Sequence, residues 1–586
     1  MELLLFVFVF FYPLFMAVYW MTGAVIFFNR REYGKQKPPT LKECPHIAIL
    51  VPCHNEASCI KDSILQLTKN NYPSFEIIAI NDGSSDNTGD ILSELSKEVD
   101  KLRVINLTRN YGKATALKVG ALASNAEFIM CIDADALLDK DALFWMMQHF
   151  QEGPRVGAVT GNPRVVNKTS LLARIQIGEF SAIVGMVKRT QRNIGRIFTV
   201  SGVNTMFRLA ALHDVRYWST DTVTEDIDIS WKLQLRYWDI RYEPRALTWI
   251  LVPETLSALW KQRLRWAQGG YEAATKFSGE IFRWENRRMW IISAEYWMSV
   301  LWCYALAFTI LCFFGTHFAP GVWPEPLRVP TLIPGWTGVI LATVCLLQFT
   351  IGLALDSIYE RRGLFRYIFW AIWYPAVYWL LSAATTVVAV PKAMLKKRKN
   401  HAVWTSPTRV LQYAPLRIRE TQHKNELRRM FWKLVPQTKK YAELVVMFIS
   451  WSLWAYLITP IMSLVVWGYG SYLFVDRLIT PGSYETFERV TNYGIVISIM
   501  WVLMAVWIVW NQQRYGRRRN RRCAPLPKVT PQQMSEAMGL EMDEIEQLRH
   551  NKETYLHIDE HDMPVIEPLA PAPAPAPTAA AAVATD

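Results

Sequence analysis

The chain has 586 residues, of which 51% are hydrophobic and 13% aromatic, including 25 Trp. Several uncharged runs are long enough to cross a bilayer, so a wholly soluble protein, a secreted disulfide scaffold and a disordered chain are excluded. The net charge of +13 clusters beside apolar segments, a mark of membrane orientation and not of a nucleic-acid polymer as partner.

Residues 3–28 carry no charge and exceed the roughly 20 residues that a spanning helix needs. No basic stretch precedes them and no A-x-A site follows, so residues 1–30 read as an anchor and not a cleaved signal. Arg30, Arg31, Lys35 and Lys37 place the next segment in the cytoplasm. Residues 45–270 then look soluble. Further uncharged runs occur at 296–324, 332–355, 367–391, 444–475 and 493–513, which gives a membrane region over 290–391 and an apolar hairpin over 441–513.

The stretch 392–440 holds fourteen Lys and Arg against two acidic residues, and the positive-inside rule keeps it in the cytoplasm. That parity predicts that 364–391, which contains Pro375, is interfacial or re-entrant. Six Arg between 514 and 522 pin the exit of the hairpin. In the cytoplasmic tail 514–567, Thr530-Pro531-Gln532-Gln533 predicts a capped helix start leading into an acidic helical stretch. The Ala/Pro repeats of 568–586 predict disorder. The 8 Cys include no C-x-x-C pair and read as reduced thiols without a metal site.

Between 47 and 161, β-rich runs at Ile47–Val51, Glu76–Ile80, Arg103–Leu107 and Glu127–Ile132 alternate with helical periodicity near 57–70, 88–98 and 112–124. This order predicts an α/β domain with a parallel sheet and right-handed crossovers. Ligands of such sheets bind at the carboxyl ends of the strands, where three polar clusters fall: Val51-Pro52-Cys53-His54-Asn55-Glu56, Asn81-Asp82-Gly83-Ser84-Ser85-Asp86 and Asp133-Ala134-Asp135. Strand alternation would put Asp133 and Asp135 on one side, where a divalent cation with phosphate oxygens relieves their repulsion. The D-G-S-S-D run reads equally as a turn with a helix N-cap.

Further on come Thr224-Glu225-Asp226 and Gln262-Arg263-Leu264-Arg265-Trp266. The first also reads as an N-cap with acids in the first turn. The second also reads as an amphipathic helix, 253–270, lying on the membrane.

The ordered series V-P-C-H-N-E, N-D-G-S-S-D, D-A-D, T-E-D and Q-R-L-R-W resembles that of the processive family 2 glycosyltransferases, which include cellulose, chitin and hyaluronan synthases. Thr160–Arg164, Lys188–Arg192 and Trp260–Gly270 resemble the bacterial poly-β-1,6-N-acetylglucosamine synthase branch. Residues 430–565, with the run Trp507–Arg514, resemble its small two-helix accessory subunit, so the chain looks like a fusion of the two.

The resemblance implies a GT-A-like fold and an inner-membrane, multi-pass polymerase with its catalytic domain in the cytoplasm. Its partners would be a UDP-sugar, the growing polysaccharide, the lipid bilayer and export proteins of the outer envelope. Asp82 and Asp133 would contact the nucleotide, Asp135 a Mg²⁺ or Mn²⁺ ion, and Asp226, beside Glu225, would be the general base of an inverting displacement. Arg265 and Arg263 would face the diphosphate and Trp266 the terminal sugar, with Gln262 a further substrate-binding residue of the same helix. Lys113 is either a phosphate contact or a solvated lysine at a helix start. The resemblance also implies activation by cyclic di-GMP, with Arg192, Arg398, Trp507 and Asn511 as candidate contacts. Positive-inside bias explains Arg398 equally well, and an interfacial aromatic belt explains Trp507. Glucose and N-acetylglucosamine are not distinguished by the acids or by Trp266. A nucleotide-binding transporter or receptor is the alternative from another class.

Overall fold

The run I-A-I-L-V-P-C is too apolar for a strand with one wet face. In the computed structural model it forms β1 (Ile47–Cys53), buried at all seven positions, as a sheet covered on both sides requires. The structure describes residues 2–34, 37–168, 170–330, 335–360, 379–395, 441–452 and 528–567 except 560–562, with isolated positions at 364–369 and 491–506.

β2 (Phe75–Asp82), β3 (Leu102–Leu107) and β4 (Phe128–Cys131) join β1 in the parallel order β3-β2-β1-β4. Helices Ile60–Leu67, Thr88–Glu98 and Lys113–Leu122 connect them, close to the expected bounds. Alternation in β1 sends Ala48 and Leu50 into one apolar layer with Leu117 and Leu122. Ile47, Ile49 and Val51 enter the other, with Ile64 and Met146.

Beyond β4 the sheet is not parallel throughout. β5 (Leu137–Leu138), β6 (Val156–Val165), β7 (Thr205–Arg208) and β8 (Asp239–Ile250) extend it in the order β4-β7-β6-β8-β5, and β7 runs antiparallel to both β4 and β6. The reason is the connection. The chain leaves β6, makes the helical excursion Leu171–Ile194 and re-enters beside the strand it left, pairing Thr160 with Thr205. Only a parallel neighbour demands a crossover to the opposite end.

The C-terminal segment departs further from expectation. Thr530 and Gln533 form the anticipated reciprocal capping box of helix Pro531–Met538, and helix Met542–His550 follows. The chain then leaves helical structure. β9 (Glu553–Ile558) lies parallel to β3, and β10 (Pro564–Glu567) pairs antiparallel with β9. The tail therefore completes a ten-stranded sheet at the β3 edge.

Among the described residues, three helices are long and apolar enough to cross a bilayer, within Val7–Glu32, Trp284–Phe318 and Ile340–Ser357, so this is a membrane protein. Helix Leu380–Leu395 packs on Leu256–Lys276 and on Trp290–Phe318. Most of 364–378, the basic stretch after Leu395, most of the 441–513 hairpin and the 568–586 tail lie outside the described residues.

Where the soluble domain meets the spans, charges are buried in a chain. Arg189 pairs with Glu32 (2.7 Å) at the end of the first span and with Asp356 (2.8 Å) at the end of the third. Arg164 of β6 also pairs with Asp356, and with Glu360 at 2.7 Å. Arg189, Glu32 and Asp356 have no exposed side-chain surface. Removing one partner strands a buried charge, at a cost of about 3–5 kcal/mol. Arg189→Ala should therefore lower the thermal midpoint of the detergent-solubilised protein sharply. Arg328→Ala, which breaks only exposed contacts, a 3.5 Å pair with Glu325 and a 3.2 Å hydrogen bond to the Pro320 carbonyl, should leave it almost unchanged; equal midpoints for the two variants would contradict this account.

Candidate active site

The first two polar clusters lock together beyond β1 and β2. The His54 ring donates from Nδ1 to the Asp82 carbonyl (2.8 Å), so Nε2 is left to accept from Asn110 (3.0 Å). Asn55 accepts from the Ser85 N–H at 2.8 Å. The turn half of the D-G-S-S-D reading applies to Asp86, which accepts from the backbone N–H groups of Ala57 and Thr88, both at 3.1 Å; the N-cap position of the following helix is Asn87, whose side chain makes no capping bond. Asp82 differs. It has no exposed surface, and its two carboxylate oxygens accept from the N–H groups of Tyr111 and Gly112, each at 2.8 Å. Gly112 can aim its N–H this way because φ is +92°, a region closed to most side chains. Burial outweighs these hydrogen bonds and raises the Asp82 pKa.

One residue further on, Lys113 opens helix Lys113–Leu122 and is not a solvated lysine. Its ammonium lies 2.6 Å from Asp133 and 3.2 Å from Glu225, with 13% of the side chain exposed, and it donates to the Gly202 carbonyl at 3.3 Å. Burial disfavours the ammonium, but Asp133 and Glu225 outweigh it and hold the pKa above the usual lysine value. The D-x-D and T-E-D motifs thus meet on one cation.

Asp133 and Asp135 are not on a strand, since β4 ends at Cys131 and both lie in the following turn. Strand alternation therefore does not orient them. Asp135 is 7% exposed. Among the described residues no group of three or more His, Cys, Asp or Glu side chains could hold an ion by itself. This donor set fits a cation shared with a diphosphate, not one caged by protein alone.

Thr224 precedes helix Glu225–Leu235, but its hydroxyl makes no capping bond and is buried without a hydrogen-bond partner. Gly269 approaches it so closely that a Cβ there would come within 2.0 Å of the Thr224 hydroxyl. Helix Leu256–Lys276 is thereby pressed onto the T-E-D turn, and Glu272 accepts from the Val223 N–H at 3.3 Å. Asp226 is pushed up to about 6 by burial and then by Glu225, with Lys113 and Arg265 opposing. Glu225 moves the other way: burial raises it, but Lys113 prevails and lowers it.

In the Q-R-L-R-W helix the two arginines part. Arg263 is buried, pairs with Glu179 at 2.8 Å and lies 4.1 Å from the centre of the Trp266 ring. Arg265 is exposed, Gln262 half-buried, and Trp266 36% exposed. The expected diphosphate contact through Arg263 is thus met by a committed guanidinium, while Arg265 is turned outward and acts electrostatically on both acids of the T-E-D motif. Arg192, a candidate cyclic di-GMP contact, forks onto Asp239 (2.7 and 3.0 Å). Arg398, Trp507 and Asn511 lie outside the described residues.

Two residues escaped the sequence reading. Glu179 holds Arg263. Lys188 is 5% exposed, and burial lowers its pKa to about 8 against the pull of Asp226. It sits in the K-R-T-Q-R segment, whose interest as chemistry shows only once its helix, Met186–Ile194, is placed beside the T-E-D turn.

Residues 45–269 match the family described as glycosyltransferase like family 2, and residues 432–563 match PgaD-like protein. A poly-β-1,6-N-acetyl-D-glucosamine synthase of Staphylococcus epidermidis is 40% identical over 411 residues, 69% of this chain and 98% of the relative. A synthase of the same name from Staphylococcus aureus (strain COL) is 40% identical over 408 residues, with the same coverage. A solved mannosyltransferase from Pyrobaculum calidifontis, in complex with GDP-Man and Mn²⁺, aligns with TM-score 0.40 and 17% identity over 65% of this chain and 97% of its own. With Asp133, Glu225 and Asp226 gathered at Lys113 and identity running through nearly the whole length of the staphylococcal enzymes, the chain belongs to the poly-β-1,6-N-acetylglucosamine synthases of glycosyltransferase family 2, carrying a PgaD-like region in the same polypeptide.

Proposed function

We infer that the chain polymerises N-acetylglucosamine from UDP-N-acetylglucosamine into a β-1,6-linked exopolysaccharide at the cytoplasmic face of a bacterial inner membrane. The observation that carries this is the buried meeting of Asp133, Glu225 and Asp226 around Lys113. Asp226 is the general base. It takes the proton of the acceptor hydroxyl as that oxygen bonds to the anomeric carbon. The bond from that carbon to UDP breaks, and UDP leaves with the electron pair, so an α-linked donor gives a β-linked product. A pKa near 6 leaves Asp226 ionised at neutral pH yet more basic than an ordinary carboxylate.

Lys113 and Arg265 supply positive charge toward the diphosphate. Asp135, with Asp133, would hold Mg²⁺ or Mn²⁺, whose charge would stabilise departing UDP. The Asp82-bound loop at Tyr111 and Gly112 lines the nucleotide end, Gln262 faces the donor, and the open face of Trp266 offers a stacking surface for the terminal sugar. Transfer beside Trp290–Phe318 and Leu380–Leu395 would let the product enter the membrane after each addition. Activation by cyclic di-GMP draws support from the PgaD-like region.

Purified membranes should incorporate label from UDP-N-acetylglucosamine, and not from UDP-glucose, into product degraded by a β-1,6-specific glycosidase, more so with cyclic di-GMP present. Loss of incorporation on chelation, restored by Mg²⁺ or Mn²⁺ in the parent but only poorly in Asp135→Ala, is the expected metal response. Asp226→Asn should lower the rate by about 10²–10⁴-fold while UDP still binds; full polymer yield would remove Asp226 from this role. Since the base must be ionised, kcat/KM should fall about tenfold per pH unit below the pKa near 6. A profile flat down to pH 4.5 would contradict that assignment.

A further inference from the structure

Tyr111 joins parts of the chain 447 residues apart. Its backbone N–H donates to Asp82 at 2.8 Å. Its hydroxyl accepts from the Ile558 N–H at 3.1 Å and reaches the Ile558 carbonyl at 3.4 Å. The side chain is 5% exposed and packs in one apolar cluster with Leu107, Leu556 and Ile558. Around it the C-terminal segment grips β3 and the loop that follows. Val104 pairs with Glu553 and Leu107 with Leu556 in parallel register, and the Thr108 N–H donates to the Leu556 carbonyl at 3.0 Å. Glu553 accepts from Asn106 and from Ser93, both at 3.0 Å. Without β9, β3 would be an open edge carrying unpaired backbone groups, and the 108–112 loop would lose the groups that hold it from outside.

That loop is the one whose N–H groups bind Asp82 and whose next residue is Lys113. Residues 553–558 belong to the PgaD-like region, whereas Tyr111 belongs to the glycosyltransferase region. The contact therefore couples the two. Resting on the donor reading above, we propose that Tyr111 is a positioning residue set by β9: seating of residues 553–558 on β3 holds the 108–112 loop in its nucleotide-binding form, so the C-terminal segment governs donor affinity from the edge of the sheet.

The test uses the full chain in membranes and, after detergent extraction, calorimetric titration with UDP. Tyr111→Phe keeps the ring and removes only the hydroxyl. Leu556→Asp puts a charge at a fully buried β9 position and lifts the strand. Loss of the hydroxyl and its hydrogen bonds should raise KM and the Kd for UDP about threefold, and loss of the strand about tenfold, with kcat within about twofold. Unchanged KM and Kd in both variants, or a fall in kcat alone, would overturn the proposal. Should Leu556→Asp lose its fold, Tyr111→Phe decides by itself. If the parent binds UDP but incorporates a different sugar, the donor reading fails, and the UDP titration still judges the role of Tyr111. If the parent polymerises normally and the variants match it, only the positioning role fails.

Discussion

One buried ammonium, Lys113, is the constraint on which the site depends. Asp133, Glu225 and Asp226 come from a turn after β4 and from the start of the helix Glu225–Leu235, and three carboxylates in a site with little water repel strongly. Lys113 lies within 2.6 Å of the first and 3.2 Å of the second. A buried charge survives only when paired and hydrogen-bonded, so the lysine and the acids justify one another's presence. Neighbouring acids are also driven apart in pKa. Lys113 carries Glu225 below its ordinary value, while burial beside an ionised Glu225 carries Asp226 up to about 6. Two adjacent carboxyl groups with separated pKa values are the usual physical basis for giving one a structural charge and the other a proton to move.

The same logic of paired burial joins the catalytic domain to the membrane. Arg189 and Arg164 reach from the sheet domain to acids at the ends of the first and third spans, which fixes the domain against those two helices. Helix Leu256–Lys276 makes the second junction. Gly269 lets it lie against Thr224, and Ala273, Ala274 and Phe277 pack on Ile227 and Trp231. Arg263, held by Glu179, braces one face of Trp266. The indole thus carries a cation over its ring and keeps 36% of its surface exposed.

The C-terminal region adds a third junction, on the opposite flank of the sheet. A strand from the PgaD-like region completes the edge beside the loop that holds Asp82. Edge strands are reactive surfaces, and covering one with a segment of the same chain removes that liability while linking the two regions mechanically.

The chain-local features were readable from residues alone: β1 to β4 and their helices from apolar periodicity, the first three spans from uncharged length, the Thr530–Gln533 box from four consecutive residues, and the order of five motifs from spacing. Each depends on neighbours within a few residues or on the length of an apolar run. What only the tertiary structure decided was which of several similar residues does what. Asp82 and Asp86 look alike in D-G-S-S-D, yet one is sealed by the Tyr111 and Gly112 amides and the other closes a turn. Lys113 could have been solvated, Thr224 could have capped its helix, and Arg263 could have faced the donor. The strand at 553–558, polar and short, gave little sign that it would pair with β3. These outcomes turn on desolvation and on partners hundreds of residues away. The free energy of a charge or a strand edge is set by what surrounds it in space, and a linear string does not carry that information.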